Sequence, residues 1–124
     1  MKVGPLGSLE AEILDRLWTW GRPASVRELT DDLNLVRPLA YTTVKTVADI
    51  LARKGILHRT MQNRIWLYET VLTREQHTAT LMLNVLGASP DRSAVLAQFL
   101  QQSTADDVAA IRALLRDHDA QAER

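Results

Sequence analysis

The sequence predicts a mainly α-helical protein with one small β-hairpin. Two observations predict this fold class: apolar residues recur at helical spacing along most of the chain, and the period changes to two in one central segment. The two parts also differ in charge, since residues 1–72 hold ten Lys/Arg and eight Asp/Glu whereas residues 73–124 hold five and seven. We therefore expect one lobe over residues 1–72 and a helical lobe over residues 73–124.

Two short helices are expected first. One reads from about Ser8 to Trp20, with Ser8 as a candidate cap, and "GRP" at 21–23 ends it. The motif "SVRE" (Ser25–Glu28) is a capping box that opens a second helix ending near Asn34.

The third helix is the most informative element, and it is expected from about Ala40 to Lys54 with Gly55 after it. Its predicted buried face consists of Val44, Val47, Ala48 and Leu51. Its predicted outward face consists of Thr42, Lys45, Thr46, Asp49 and Arg53, with Thr43 at the edge. The segments "ILHRTM" and "RIWLYET" then read as paired strands, with a turn in which Asn63 tolerates a positive φ.

The second lobe is expected to contain three amphipathic helices and a polar tail that frays from Asp117. Its helices begin at "TREQ" (Thr73–Gln76), near Asp91 and at "TADD" (Thr104–Asp107). A lobe of this size lacks the volume to bury all its apolar side chains alone, so we expect a homodimer. The predicted interface consists of Leu81, Met82, Val85, Leu86, Val95, Leu96, Phe99, Leu100, Ile111, Leu114 and Leu115.

Helix, helix and hairpin in this order are typical of the winged helix-turn-helix, in which the second helix of the pair enters the major groove of DNA. The segment from Val36 to Arg64 carries six basic residues against the single Asp49, and Arg59 and Arg64 are expected to flank the hairpin tip. The predicted DNA-binding residues are Tyr41, Thr42, Thr43, Lys45, Thr46, Arg53, Arg59 and Arg64. One alternative is a plain surface, on which Lys45, Asp49 and Arg53 form a solvated ion-pair ladder.

Composition and spacing argue against other classes of function. The chain has no Cys, its three His are not in metal-ligand spacing, and it contains neither a nucleophile elbow nor a glycine-rich phosphate loop. It also lacks a long apolar run and the apolar segment of a signal peptide. We expect a cytoplasmic protein that is not an enzyme and uses no metal, cofactor or membrane. A winged-helix module for protein–protein contact stays open as the alternative function.

Four segments resemble the penicillinase-repressor family, BlaI/MecI/CopY. They are "LGSLEAEILDRLW" (Leu6–Trp18), "AYTTVKTVADILARKG" (Ala40–Gly55), the hairpin ending at Tyr68, and "AVLAQFLQQSTADDVAAIRALL" (Ala94–Leu115). The resemblance implies winged-helix repressors that dimerise through C-terminal helices and bind palindromic operators, commonly with TACA/TGTA half-sites. It also implies that Thr43 and Thr46 contact base edges and that Arg64 contacts phosphate.

The chain departs from that family at several positions. Relatives often have Met at the position of Lys45, Arg at that of Ile50 and a Gly in the wing, where this chain has "QNR". Antibiotic-responsive members are cleaved at an Asn-Phe bond, which aligns here with Gln98-Phe99, and copper-responsive members use a C-terminal cysteine motif, which a chain without Cys cannot use. The inducing signal therefore stays open.

Overall fold

The computed structural model describes residues 7–123, and within them the predicted fold class is confirmed. The elements follow in the order α1 (Ser8–Trp20), β1 (Ala24–Ser25), α2 (Val26–Leu33), α3 (Tyr41–Arg53), β2 (Leu57–Gln62), β3 (Ile65–Thr70), α4 (Arg74–Gly87), α5 (Arg92–Gln102) and α6 (Ala105–Ala122). The chain divides into two compact units, one ending at Val85 and the other beginning at Leu86.

The first unit is built around one apolar core to which the first three helices and the sheet all contribute. Its fully buried side chains include Ile13, Leu14, Leu29, Leu33, Val44, Ala48, Leu51 and Tyr68. The predicted buried face of α3 is confirmed, with Val47 half-buried at its edge. Since burial of each large apolar side chain stabilises the fold by about 1.5–3 kcal/mol, this core holds α3 in one orientation.

The sheet has three antiparallel strands in the order β1-β3-β2. Strand β1 pairs Ala24 with Tyr68 and Ser25 with Leu67. The sequence does not predict this strand, because two residues are too few to show a period of two.

The hairpin turn contains only Asn63 and Arg64, because Gln62 already pairs with Ile65. Both turn residues have positive φ, 51° and 64°, which is the type I′ geometry that matches the twist of a hairpin. The prediction for Asn63 is confirmed. Arg64 is less expected in this conformation, since a side chain with a Cβ is strained there and type I′ turns favour Gly at the second position.

Helix caps confirm most of the sequence signals. Ser25 and Glu28 form both bonds of the predicted capping box, and Thr73 and Gln76 form both bonds of the second. The prediction for Ser8 is wrong: it is the first residue of α1, the cap position is Gly7, and no side chain caps this helix.

The second unit contains α5 and α6, in which none of the described residues is buried. Helix α6 continues to Ala122, so the expected fraying from Asp117 is wrong over most of the tail. Alanine at 120 and 122 favours helix and supports this extension. Within residues 7–123, none of the helices has both the length and the apolarity that a membrane span needs.

Candidate nucleic-acid interface

The connection between α2 and α3 sets the position of the third helix. The side-chain amide of Asn34 donates to the carbonyl oxygens of Thr30 (2.7 Å) and Leu39 (3.0 Å), and its carbonyl oxygen accepts from the Leu39 N–H (3.1 Å). In the same connection Arg37 forms a 2.7 Å ion pair with Glu12 of α1. These bonds join the connection to α1 and α2, so the start of α3 is fixed from both sides.

The first two turns of α3 present threonines to solvent. Thr42, Thr43 and Thr46 are exposed, and Tyr41 is 45% exposed. The hydroxyl of Thr46 donates to the carbonyl of Thr42 at 2.8 Å, which leaves its methyl group and an oxygen lone pair available. No side chain caps the helix at Ala40; the Thr43 N–H donates to the Ala40 carbonyl at 3.1 Å, and the amides of Tyr41 and Thr42 precede the first bonds within the helix.

A groove of about 490 Å³ lies between the start of α3 and the hairpin. Lys45 and Arg64 line it together with Arg27 of α2, so three cations from three elements face one space. The guanidinium of Arg27 lies 5.8 Å from the centroid of the Tyr41 ring, which also lines the groove. The structure thus brings together Tyr41, Lys45 and Arg64 of the predicted set.

Asp49 occupies the centre of the surface that joins α3 to the hairpin. Its carboxylate accepts a hydrogen bond from the Tyr68 hydroxyl (2.5 Å) and pairs with Lys45 (2.8 Å) and Arg59 (3.4 Å). Lys45–Asp49 is the first rung of the predicted surface ladder, but the second cation on Asp49 is Arg59 of β2 rather than Arg53. The carboxylate therefore links the hairpin to the helix.

The pKa values in this cluster follow from its contacts. Burial acts to raise the pKa of Asp49, but hydrogen bonds from Lys45 and Tyr68 hold it below its usual value. The hydrogen bond to Asp49 raises the pKa of Lys45. Burial, assisted by the bond to Asp49, raises the pKa of the Tyr68 hydroxyl. At neutral pH the cluster contains one carboxylate, two cations and a neutral phenol.

Arg59 and Arg53 lie on the other side of Asp49. With His58, both line a second groove of about 520 Å³. The expectation that Arg59 flanks the hairpin tip needs correction: Arg59 pairs with Tyr68 in the middle of the hairpin, and only Arg64 lies in the turn. The Arg59 guanidinium lies 4.2 Å from the centroid of the Trp66 ring, so the exposed Trp66 side chain supports a cation.

The base of α4 is anchored in the first unit by a buried histidine. His77 is 3% exposed, its ring centroid lies 5.4 Å from that of Trp18, and the Trp18 indole N–H donates to the carbonyl of Leu72 at 3.0 Å. Nε2 of His77 is buried and finds no hydrogen-bond partner among the described residues, and burial lowers the pKa of this ring. In residues 7–123, no three His, Asp or Glu side chains are grouped so that they could hold a metal ion.

Three residues that support this surface are not predicted from the sequence as functional. Tyr68 and Asn34 position α3, and Arg27 adds a cation to the groove. The period of two in β3 places Tyr68 on the core side, but no local pattern shows which carboxylate its hydroxyl meets. Arg27 follows the capping box and carries no signal beyond its charge.

Comparison with known proteins decides the family. The family model described as "Penicillinase repressor" matches residues 6–117. The chain belongs to the penicillinase repressor family. In Mycobacterium tuberculosis, the protein "Transcriptional regulator BlaI" of strains CDC 1551 / Oshkosh and ATCC 25618 / H37Rv is 35% identical over 122 residues, which cover 96% of this chain and 88% of the relative.

Among solved structures, the YusO protein from Bacillus subtilis is similar with a TM-score of 0.50 at 19% identity, covering 94% of this chain and 76% of that chain. At this identity the likeness shows the fold. Members of the penicillinase repressor family are regulators of transcription, which confirms the expectation that this chain is not an enzyme. The resemblance predicted from the four sequence segments is confirmed as well.

Proposed function

We propose that this penicillinase-repressor family member is a homodimeric repressor that binds a palindromic promoter operator. Helix α3 enters the major groove and the β2–β3 hairpin follows the backbone as a basic wing. The observation that carries the proposal is the exposed threonine face of α3 beside a groove lined by Arg27, Lys45 and Arg64. Polar groups that can read base edges thus lie next to cations that can neutralise phosphates.

Sequence reading falls to the first two turns of α3. Thr43 and Thr46 can donate to or accept from base edges and can contact a thymine methyl, and Lys45 can bond to guanine O6 and N7. Tyr41 and Thr42 lie at the helix start, where the uncapped amides and the positive end of the helix dipole favour a phosphate. These roles require α3 to enter the groove by its N-terminal end, as in other helix-turn-helix proteins.

The remaining cations contact the backbone. Arg64 projects from the strained turn of the wing, and such strain in a turn is more often retained where the side chain has a function. Arg59 and Arg53 line the second groove and are assigned to phosphates of the flanking backbone. Phosphate contacts fix the register of the protein on DNA but carry no base preference of their own.

The proposed dimer rests on apolar side chains that the single chain leaves uncovered. Met82 and Val85 of α4 are 54% and 64% exposed, Phe99 of α5 is 44% exposed, and Leu114 of α6 is 66% exposed. Apolar exposure of this extent along three successive helices is typical of a protein–protein interface. The proposed division assigns DNA binding to residues 1–72 and dimerisation to residues 73–124. The proposed location of the protein is the cytoplasm.

A two-fold dimer explains why a palindrome is the proposed target. Each protomer presents one copy of α3, and the symmetry of the dimer places the two copies on two equivalent half-sites. The interface residues proposed are those named from the sequence, although Leu81 also packs against the core of its own chain.

Fluorescence anisotropy tests the proposal directly. The full-length chain is titrated into the labelled duplex from the promoter upstream of its own gene, and into the same duplex scrambled, over a salt series. We expect tighter binding to the promoter duplex, with the logarithm of the affinity falling linearly against that of the salt concentration. Equal binding to both duplexes at every salt concentration would instead support the protein–protein module.

A further inference from the structure

We propose that Asp49 sets the selectivity of this protein for its operator over other DNA, an inference that rests on the proposed DNA-binding function. A carboxylate on the outward face of a DNA-reading helix opposes the phosphates that the helix approaches. Asp49 lies on the same face as Lys45, one turn later, and its side chain is 29% exposed. Because Asp49 is also paired with cations, its effect on DNA binding is not limited to repulsion of phosphates.

Asp49 forms ion pairs with two cations that would otherwise be available to the phosphates of non-specific DNA. Lys45 reaches it at 2.8 Å and Arg59 at 3.4 Å, from the helix and from the wing respectively. Non-specific affinity for DNA comes almost entirely from cations that neutralise phosphates and release counterions. With both cations paired internally, a phosphate must compete with a carboxylate that is already in contact with them.

The carboxylate is fixed in place, which separates it from an ordinary surface ion pair. Tyr68 is fully buried, and its hydroxyl donates to the Oδ1 atom of Asp49 that also faces Arg59. When Lys45 or Arg59 moves to DNA, Asp49 therefore stays at the surface as an uncompensated negative charge. Only a duplex whose base edges give α3 enough hydrogen bonds compensates for that charge.

The charge of Asp49 lowers the affinity for DNA but increases the preference for the operator over other sequences. Operator and scrambled DNA carry the same phosphates, but on the operator the Lys45 ammonium, which has three donors, can bond to a base edge and keep its bond to Asp49, so the penalty from Asp49 is larger on the scrambled duplex. The scrambled duplex has no base contacts to offset the penalty, and it loses the cation contacts that would otherwise hold it. Specificity by a repulsive element of this kind predicts that removing the charge strengthens binding to the wrong DNA.

The test compares Asp49→Asn with the wild-type chain on the promoter duplex and its scrambled version over a salt series. Asn keeps an oxygen that accepts from Tyr68 but removes the charge. We expect about tenfold tighter binding to the scrambled duplex, a salt slope steeper by about one to two units, and a correspondingly smaller ratio of the two affinities. Asp49→Gln is the second variant, should Asp49→Asn fail to fold by circular dichroism.

Two control variants separate this role from bulk charge and from structure. Asp31→Asn removes an exposed carboxylate of α2 and should leave the affinity ratio unchanged. Tyr68→Phe removes the hydrogen bond that holds Asp49 in place but keeps the charge, so we expect a lower melting temperature and a salt slope between those of the wild type and Asp49→Asn.

The outcomes distinguish the inference from the function on which it rests. A wild-type chain that shows no preference for the promoter duplex would overturn the proposed function. A wild-type chain that prefers the promoter, together with neutral variants at 49 that keep its affinity ratio and salt slope, would overturn the role of Asp49 alone. If Asp31→Asn steepened the salt slope as much as Asp49→Asn does, the effect would come from net charge alone, and the specific role of Asp49 would be overturned.

Discussion

The side chain of Asn34 and the backbone of Leu39 form two hydrogen bonds across the connection between α2 and α3. The side-chain oxygen of Asn34 accepts from the Leu39 N–H at 3.1 Å, and its amide nitrogen donates to the Leu39 carbonyl at 3.0 Å. The side-chain amide thus bonds to both backbone polar groups of Leu39, as a neighbouring β-strand would. Because α3 begins two residues later, these bonds help to fix its start.

Replacement of Asn34 tests that role. Asn34→Ala should destabilise the chain by about 0.5–1.5 kcal/mol, because it removes the hydrogen bonds to Leu39, which are exposed so that water can replace them. Binding to the promoter duplex should weaken as well, since α3 loses the bonds that fix its start. Urea denaturation and anisotropy measure the two effects. Leu35→Ala, at an exposed side chain of the same connection, is the control, and an equal loss there would contradict the role of Asn34.

Much of the fold could be predicted from the sequence because its signals are local. The capping boxes at Ser25–Glu28 and Thr73–Gln76, the left-handed Gly55 after α3 and the core face of α3 each depend on a few neighbouring residues. Gly55 has φ of 78°, as its predicted place after the helix requires. Such features need no tertiary information, and the structure confirms them.

The features that sequence does not predict depend on contacts between distant residues. Asp49 and Tyr68 lie 19 positions apart, and only folding shows that they meet. The pairing of β1 with β3 is equally non-local and involves two residues of the shorter strand. The site is therefore predictable as a set of exposed threonines and cations on one helix and a hairpin. The contacts of Asp49 with Tyr68 and Arg59 cannot be predicted in this way.

Thr43 and Thr46 carry the prediction for base reading. Thr43→Ala or Thr46→Ala should weaken binding to the preferred operator by about 1–3 kcal/mol and relax the base preference at one position of each half-site. Thr46→Val keeps the methyl contact and removes the hydroxyl, so it separates thymine contact from hydrogen bonding. Selection from a pool of randomised duplexes gives the preference of each variant. An unchanged preferred sequence would refute the assignment.

Arg64 offers a matched pair of variants. Arg64→Ala and Arg64→Gly both remove the guanidinium and should flatten the salt slope by about one unit, with similar losses on all sequences. Only Arg64→Gly relieves the positive φ, and it should raise stability by about 0.5–1 kcal/mol relative to Arg64→Ala. Anisotropy and thermal unfolding measure the two effects. Loss of preference at a single base position would contradict the phosphate assignment.

Phe99 tests the proposed dimer. Phe99→Asp puts a charge into the expected apolar interface and should raise the dimer dissociation constant at least about a hundredfold. Sedimentation equilibrium or light scattering measures the mass over a range of concentrations. Gln101→Asp places the same charge on the same helix outside the proposed interface and should leave the mass unchanged. A Phe99→Asp chain that keeps the dimer mass would show that α5 does not form the interface.

His77 predicts how stability depends on pH. Burial lowers its pKa in the folded chain below the usual value of 6.5, so the unfolded chain binds more protons between the two pKa values. Stability should therefore fall as pH drops through 6.5 and stop falling below the folded pKa. The carboxyl groups of Asp49 and Glu28 also have lowered pKa values, but their losses come at more acidic pH, below 3.8 and 4.5 respectively.

The window between about pH 5 and pH 8 isolates the histidine. Thermal unfolding of His77→Gln should show a smaller dependence on pH there than the wild-type chain. His118→Gln, at an exposed side chain of α6, serves as the control and should keep the wild-type dependence. If both variants behave alike, the buried ring is not the source of the effect.

Helices α5 and α6 have no buried residue of their own among those that the structure describes. A segment with no buried core of its own is stabilised by the surface against which it packs. In a chain that self-associates, that surface belongs to a second copy, so the stability depends on protein concentration. Under the proposed dimer, the amount of protein in the cell sets how well this segment is folded. Growth that dilutes the chain then loosens its helices and exposes them to proteases, so the lifetime of the molecule becomes tied to its own abundance.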